Sequence, residues 1–163
     1  GGEISIDIHP VEQLHFQNSF SYVNSVQLHQ PDSTKYLPFT PAPKFVSDIR
    51  YDLIRHGKKL LNNTYVSAGL ECSLKQDNVY SAFGTETPTS AYTLFNASLG
   101  TDFVHKGKTV ASLFFTVNNI TDKAYQNHLS RLKYADENPV TGRQGIYNMG
   151  RSFSLKVLIP LSF

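Results

Sequence analysis

The final twelve residues of the chain alternate between apolar and polar with a single break. Phe153, Leu155, Val157, Ile159, Leu161 and Phe163 share one parity, and Ser152, Ser154, Lys156, Pro160 and Ser162 share the other. Successive side chains of a strand point to opposite faces, so this run carries an apolar stripe on one side and a mostly polar one on the other, interrupted only by Leu158. A tilted strand of about ten residues crosses a bilayer core. The run also stops on an aromatic residue with no polar tail behind it. Together these features point to an all-β fold of the outer-membrane barrel kind.

The same alternation returns along the whole chain. Ala111, Leu113, Phe115 and Val117 oppose Ser112, Thr116 and Asn118; Ala91, Phe95, Ala97, Leu99 and Phe103 oppose Asn96, Ser98, Gly100 and Asp102. Val66, Ala68, Leu70, Cys72 and Leu74 oppose Ser67, Gly69, Glu71, Ser73 and Lys75, and Phe45, Ile49, Tyr51 and Leu53 oppose Asp48, Arg50 and Asp52. Near the start, Leu14, Phe16, Phe20 and Tyr22 oppose His15, Gln17, Ser19 and Ser21, while Ile4, Ile6 and Ile8 oppose Glu3, Ser5 and Asp7. About seven antiparallel up-and-down strands follow from the pattern, forming part of a transmembrane barrel.

The charges segregate with the parity. Glu3, Asp7, Asp48, Arg50, Asp52, Glu71, Lys75, Asp102 and Lys156 all fall on the polar side. A charge facing lipid near the midplane costs roughly 2–4 kcal/mol, so a lipid-facing exterior around a wet lumen requires this separation. A soluble all-β binding module with an apolar interior would segregate its charges too, and parity alone does not distinguish inside from outside. Connection lengths add a second signal. Tight turns are expected at His9–Glu12, His56–Lys58 and His105–Lys108, and long loops at Gln27–Pro41, Val79–Ser90 and Asp122–Gly150. Outer-membrane barrels have short periplasmic turns and long extracellular loops, which places the C-terminus on the periplasmic side.

Composition excludes several classes. The net charge is +2, without the basic footprint of a nucleic-acid binder. Cys72 is the only cysteine, so there is no internal disulfide, and no apolar run reaches the length of about eighteen residues that a membrane helix needs. Gly1-Gly2 leads directly into a strand pattern without a signal peptide, so the chain is expected to be the back end of a longer protein.

Candidate chemical groups are sparse. His9, His56 and His105 fall at expected turns and read as solvated imidazoles; His15 faces the polar side, and His29 and His128 fall at loop bases. No pair has metal-ligand spacing, and there is no Gly-x-Ser-x-Gly elbow. No cofactor, metal or catalytic residue is therefore assigned, and an enzyme built on Asp48 and Glu71 has only their charge in its favour. Arg131, Lys133, Tyr134 and Arg143 lie in a charged loop that is a candidate contact for an anionic ligand; a solvated, mobile loop is the simpler account.

Four stretches carry a resemblance to the TonB-dependent outer-membrane receptors. Val117-Asn-Asn-Ile-Thr-Asp-Lys-Ala-Tyr125 resembles the family's Asn-Leu-Phe-Asp-Lys-x-Tyr signature, with Ile120-Thr121 in place of Leu-Phe. Asn148-Met-Gly-Arg151 followed by Ser152–Phe163 is similar to its Gly-Arg and final amphipathic strand. Leu37-Pro-Phe-Thr-Pro-Ala-Pro-Lys44 and Glu86-Thr-Pro-Thr-Ser-Ala-Tyr-Thr-Leu94 resemble its strand entries. The resemblance covers residues 1–163 and implies the C-terminal portion of a plugged barrel of about twenty-two strands in a Gram-negative outer membrane. It implies uptake of a siderophore, vitamin, metal chelate or glycan. The implied partners are lipid, the remaining barrel and plug, the TonB complex acting through that plug, and the barrel-assembly machinery. That machinery would read Phe153, Leu155, Val157, Ile159, Leu161 and Phe163 as an insertion signal. Seven strands are too few to close such a barrel, so self-association through unpaired edges is expected of an isolated fragment.

Overall fold

The computed structural model describes residues 1–57 and 60–160. These residues form one seven-stranded antiparallel sheet in which every strand pairs only with its neighbours in sequence. The strands are β1 Gly2–Val11, β2 Leu14–Tyr22, β3 Lys44–Ile54, β4 Leu61–Ser73, β5 Tyr92–His105, β6 Lys108–Asn118 and β7 Ser152–Leu158. Every stretch of alternation is a strand, and β1 to β6 run for 9 to 14 residues, against the five or six usual in globular proteins.

The connections alternate short and long as expected, with narrower short turns. β1 continues through His9, Pro10 and Val11, so the first reversal is only Glu12–Gln13. Pro10 falls where the register shifts between Ile8 and Val11. A bulge on an edge strand is a place where the missing N–H is tolerated. His105 and Lys108 form the last pair of β5 and β6, and the reversal is Lys106–Gly107. Thus His9 and His105 are strand residues. Lys58, at the end of the remaining expected turn, lies outside the described residues. At the chain end, Phe153, Leu155 and Val157 are in β7, but Ile159 and Pro160 have left the strand. Leu161 and Phe163 lie outside the described residues.

Pairing puts every apolar stripe on one face. Phe20 opposes Phe45, which opposes Cys72; Tyr51 opposes Val66, which opposes Leu99, then Phe115, then Leu155. A slip of one residue anywhere would send one strand's apolar side chains to the other face, so this register is what the sequence pattern demands. The interruptions in the stripe meet one another. Asn18 opposes Ser47, and the Ser47 hydroxyl donates to Asn18 Oδ1 at 2.8 Å.

The apolar face is the outward one. Ile4, Ile6, Ile8, Tyr51, Leu53, Phe153 and Leu155 are all exposed. Among the described residues the buried apolar side chains are Val79, Tyr92, Leu94 and Val104. The last three belong to the polar parity of β5. The long loops fold onto that same face: Tyr125 packs on Tyr92 with ring centroids 4.5 Å apart, and Asn96 Oδ1 accepts the Asn119 N–H at 2.9 Å. A module with an apolar interior requires the reverse arrangement.

The aromatic exceptions on the polar face are packed there. Tyr65 opposes Gly100, and its ring lies across the glycine so closely that a Cβ would sit 2.3 Å from Tyr65 Cε1. The Arg50 guanidinium lies 3.9 Å from the centroid of the same ring. Phe114, the break in the β6 pattern, opposes Lys156, whose ammonium is 5.9 Å from the ring centroid.

Candidate functional site

Two polar regions share the inner face. The first crosses β2 to β5, from the short-turn end to mid-sheet. Asp52 accepts from Arg50 Nε at 2.8 Å and lies 3.0 Å from His15 Nε2, while Arg55 contacts Glu12 at 2.9 Å. The Ser67 and Ser98 hydroxyls pair at 2.7 Å. Beside them, His15, Gln17, Asp48, Arg50 and Tyr65 line an open cavity of about 310 Å³. Its walls carry charge and small hydroxyls but no nucleophile beside a base. Asp48 and Glu71 are two strand positions apart on this face of paired strands, with Glu71 tied to Lys44 at 2.9 Å. No group of three or more His, Cys, Asp or Glu among the described residues is arranged to hold a metal.

The second region is the long-loop end, where the buried polar residues gather: Thr40, Gln76, Glu86, Thr89, Asn119, His128 and Lys133. Three loops meet there: residues 23–43, 74–91 and 119–151. Gln76 pairs through its backbone with Thr89 and donates its side-chain amide to the Thr40 and Pro41 carbonyls, each at 3.1 Å. Glu86 accepts the Phe39 N–H at 2.6 Å and the Tyr80 N–H at 2.9 Å. Lys133 donates to the Thr87 carbonyl at 2.8 Å and the Thr89 hydroxyl at 2.6 Å. Thr89 in turn meets His128 Nδ1 at 2.8 Å.

The four motif stretches act here as fasteners. Asn119 adopts positive φ and bridges the turn, donating to the Lys123 carbonyl at 2.9 Å and accepting the Lys123 N–H at 2.8 Å. Asp122 accepts the Arg151 N–H at 2.8 Å, tying the exit of β6 to the entry of β7. The strand entry beginning at Leu37 supplies Phe39 and Thr40, and the one beginning at Glu86 supplies Glu86, Thr87 and Thr89.

The four loop candidates separate. Arg131, Lys133 and Tyr134 lie in a 3-10 turn, Arg131–Tyr134, that the sequence reads as mobile loop. Lys133 is buried, its ammonium engaged with groups more than forty residues away in the chain. Tyr134 accepts the Thr87 N–H at 3.4 Å. Arg131 and Arg143 remain exposed, over the rings of Phe39 and Tyr147 respectively. Gly145, at φ 71°, presses against Lys133: a Cβ there would sit 2.2 Å from the Lys133 carbonyl oxygen. Sequence reasoning misses Glu86 and His128 as a pair. Their only signal is that an acid and a histidine occur in two stretches expected at the same end of the sheet.

No family model and no curated protein matches this sequence. Among solved structures, the chain is similar to the copper transporter OprC with a TM-score of 0.72 and 16% identity, over 96% of this chain and 22% of that one. The likeness is one of fold, and this chain spans less than a quarter of that transporter's length.

Proposed function

We propose that the chain is a segment of the barrel of a TonB-dependent outer-membrane receptor, taking part in uptake of a scarce nutrient. Its apolar parity meets lipid, its polar parity faces the lumen, and its long loops stand outside the cell. The observation that carries this reading is the apolar face kept in register across all seven strands, while the long loops pack on the opposite, polar face at β5. In hydrocarbon every backbone group has to be paired, and long antiparallel strands with their ladders formed meet that demand everywhere except at the two edges. The outer edges of β1 and β7 would pair with the remaining strands of the receptor. The four motif resemblances supply the TonB dependence, with a plug and the TonB complex as partners.

OprC carries copper, but the described residues hold no complete metal site of their own. The nutrient class therefore stays as broad as siderophore, vitamin, metal chelate or glycan. Fractionation tests the reading: the full-length protein should sediment with outer membranes, resist high salt and carbonate, and require detergent for extraction. Recovery of the full-length protein as a monodisperse species from the soluble periplasm would overturn it.

A further inference from the structure

At the long-loop end, one polar atom is buried without a partner. His128 Nε2 has no hydrogen-bond acceptor, although Glu86 Oε1 lies 3.6 Å away. The side chains are almost wholly enclosed, His128 being 2% exposed and Glu86 0%. Lys133 is donor only, so the Thr89 oxygen accepts from it, while Thr89 and His128 Nδ1 share a bond of 2.8 Å whose donor follows the ring's tautomer. The enclosure of the ring and the nearby Lys133 ammonium both favour the neutral imidazole.

We propose that Glu86, Thr89, His128 and Lys133 form an acid-sensitive clasp, closed with His128 neutral, that fastens the three long loops over the inner face and releases them when the ring is protonated. All three loops depend on it. Residues 23–43 contribute the Phe39 N–H, residues 74–91 contribute Tyr80, Glu86 and Thr89, and residues 119–151 contribute His128 and Lys133. Protonation places a positive charge in an enclosed site whose Thr89 oxygen already accepts from the Lys133 ammonium at 2.6 Å. The charged groups facing the ring are Glu86 from the second loop and Lys133 from the third. The Glu86 carboxylate is already shared between two backbone N–H groups, so its attraction only partly offsets the Lys133 ammonium.

Burial holds His128 below the ordinary imidazole range, with Lys133 acting in the same direction and Glu86 against it. The sign follows. An opened, solvated His128 titrates near the usual value of about 6.5. Below that value the open form binds the proton more readily than the closed one, so closure is complete above it and is lost as pH falls through it. The proposal concerns the loops and holds whatever nutrient the protein takes up.

The test measures loop separation in the full-length protein in detergent. Nitroxide labels are placed at Phe83→Cys and Val140→Cys, both highly exposed positions in the second and third loops, in an otherwise cysteine-free background. A single narrow distance distribution is expected at pH 8. A second, broader population should grow as the pH falls from 6.5 to 5, with an open-to-closed ratio that changes by up to about tenfold per pH unit. His128→Asn keeps an acceptor for Thr89 but does not titrate, and should hold the narrow distribution throughout. An unchanged distribution in the unmodified loops at pH 5, or the same pH response in His128→Asn, overturns the clasp. If His128→Asn is already open at pH 8, Lys133→Met decides. Removing the repelling charge should make the open-to-closed ratio vary less between pH 8 and pH 5 than with Lys133 present, and an equal variation overturns the proposal.

Discussion

The middle of the sheet and its long-loop end follow opposite rules on one continuous set of strands. At mid-sheet, position alone decides a side chain's surroundings. Apolar groups go outward, polar groups go inward, and small residues such as Gly69, Ala97 and Ser98 fill both faces. At the loop end, polar residues are buried beside Val79, Tyr92 and Leu94, and three of them, Gln76, Glu86 and Lys133, are held by bonds to distant backbone groups. The difference is one of solvation. Mid-sheet relies on its surroundings to solvate each face, whereas the loop end has to satisfy its own donors and acceptors.

The largest expected effect tests the mid-sheet rule. Arg at Leu70 or Leu99, on the apolar face, should cost roughly 2–4 kcal/mol if that face lies in lipid, and should abolish the assembled, heat-modifiable form in outer membranes. Arg at Ser67 or Ser98, their neighbours on the inner face beside an open cavity, should assemble normally. If all four variants accumulate equally, the face assignment is lost and the two regions no longer differ in kind.

A smaller effect isolates the loop end. Glu86→Ala leaves the half-buried Phe39 and Tyr80 N–H groups without their acceptor, which should destabilise loop closure by about 1–3 kcal/mol. Because those bonds lie outside the sheet, amide exchange should accelerate at Phe39, Tyr80 and their loop neighbours while the amides of β3 and β4 keep their protection. Uniform acceleration through the sheet would show that the two regions open as one.

How much was legible follows the same division. Alternation locates all seven strands because their faces are set by neighbours one and two residues away. His9 and His105 are misplaced into turns because Pro10 and Gly107 mark a reversal without fixing its first residue. Lys133 reads as a solvated cation, since its acceptors at Thr87 and Thr89 precede it by 46 and 44 residues. Nothing local announces a partner at that distance. Gly100 and Tyr65 are intermediate: each fits its strand pattern, and only the register between β4 and β5 reveals that the ring needs the missing Cβ.

That pair offers a third measurement. Gly100→Ala should push the Tyr65 ring off the strand and away from Arg50, with an overpacking cost of about 1–2 kcal/mol in the unfolding midpoint. Combining it with Tyr65→Ala should cost less than the sum of the two single changes, because the clash disappears with the ring. Strict additivity would mean that the ring does not rest on Gly100, and would remove the best-defined contact on the inner face.

The smallest effect is the most discriminating, because its sign depends on the medium. Asn18 and Ser47 are a polar pair within the apolar face, joined by the bond from the Ser47 hydroxyl to Asn18 Oδ1. In water each group loses little when separated, since solvent replaces the partner. In hydrocarbon no replacement exists, and such bonds are worth on average about 0.6 kcal/mol. Ser47→Ala alone should therefore destabilise the folded protein in bilayers by roughly that amount, by leaving the Asn18 amide without its partner. Asn18→Leu with Ser47→Ala removes both polar groups and completes the stripe between Phe16 and Phe20. That double variant should be neutral or more stable, because replacing both partners of a bond by apolar groups removes the desolvation penalty along with the bond. Unfolding titrations of the two variants in lipid vesicles separate the cases. A neutral Ser47→Ala beside a destabilised double variant would place water on this face, and with it the apolar stripes would lose the solvent that explains them.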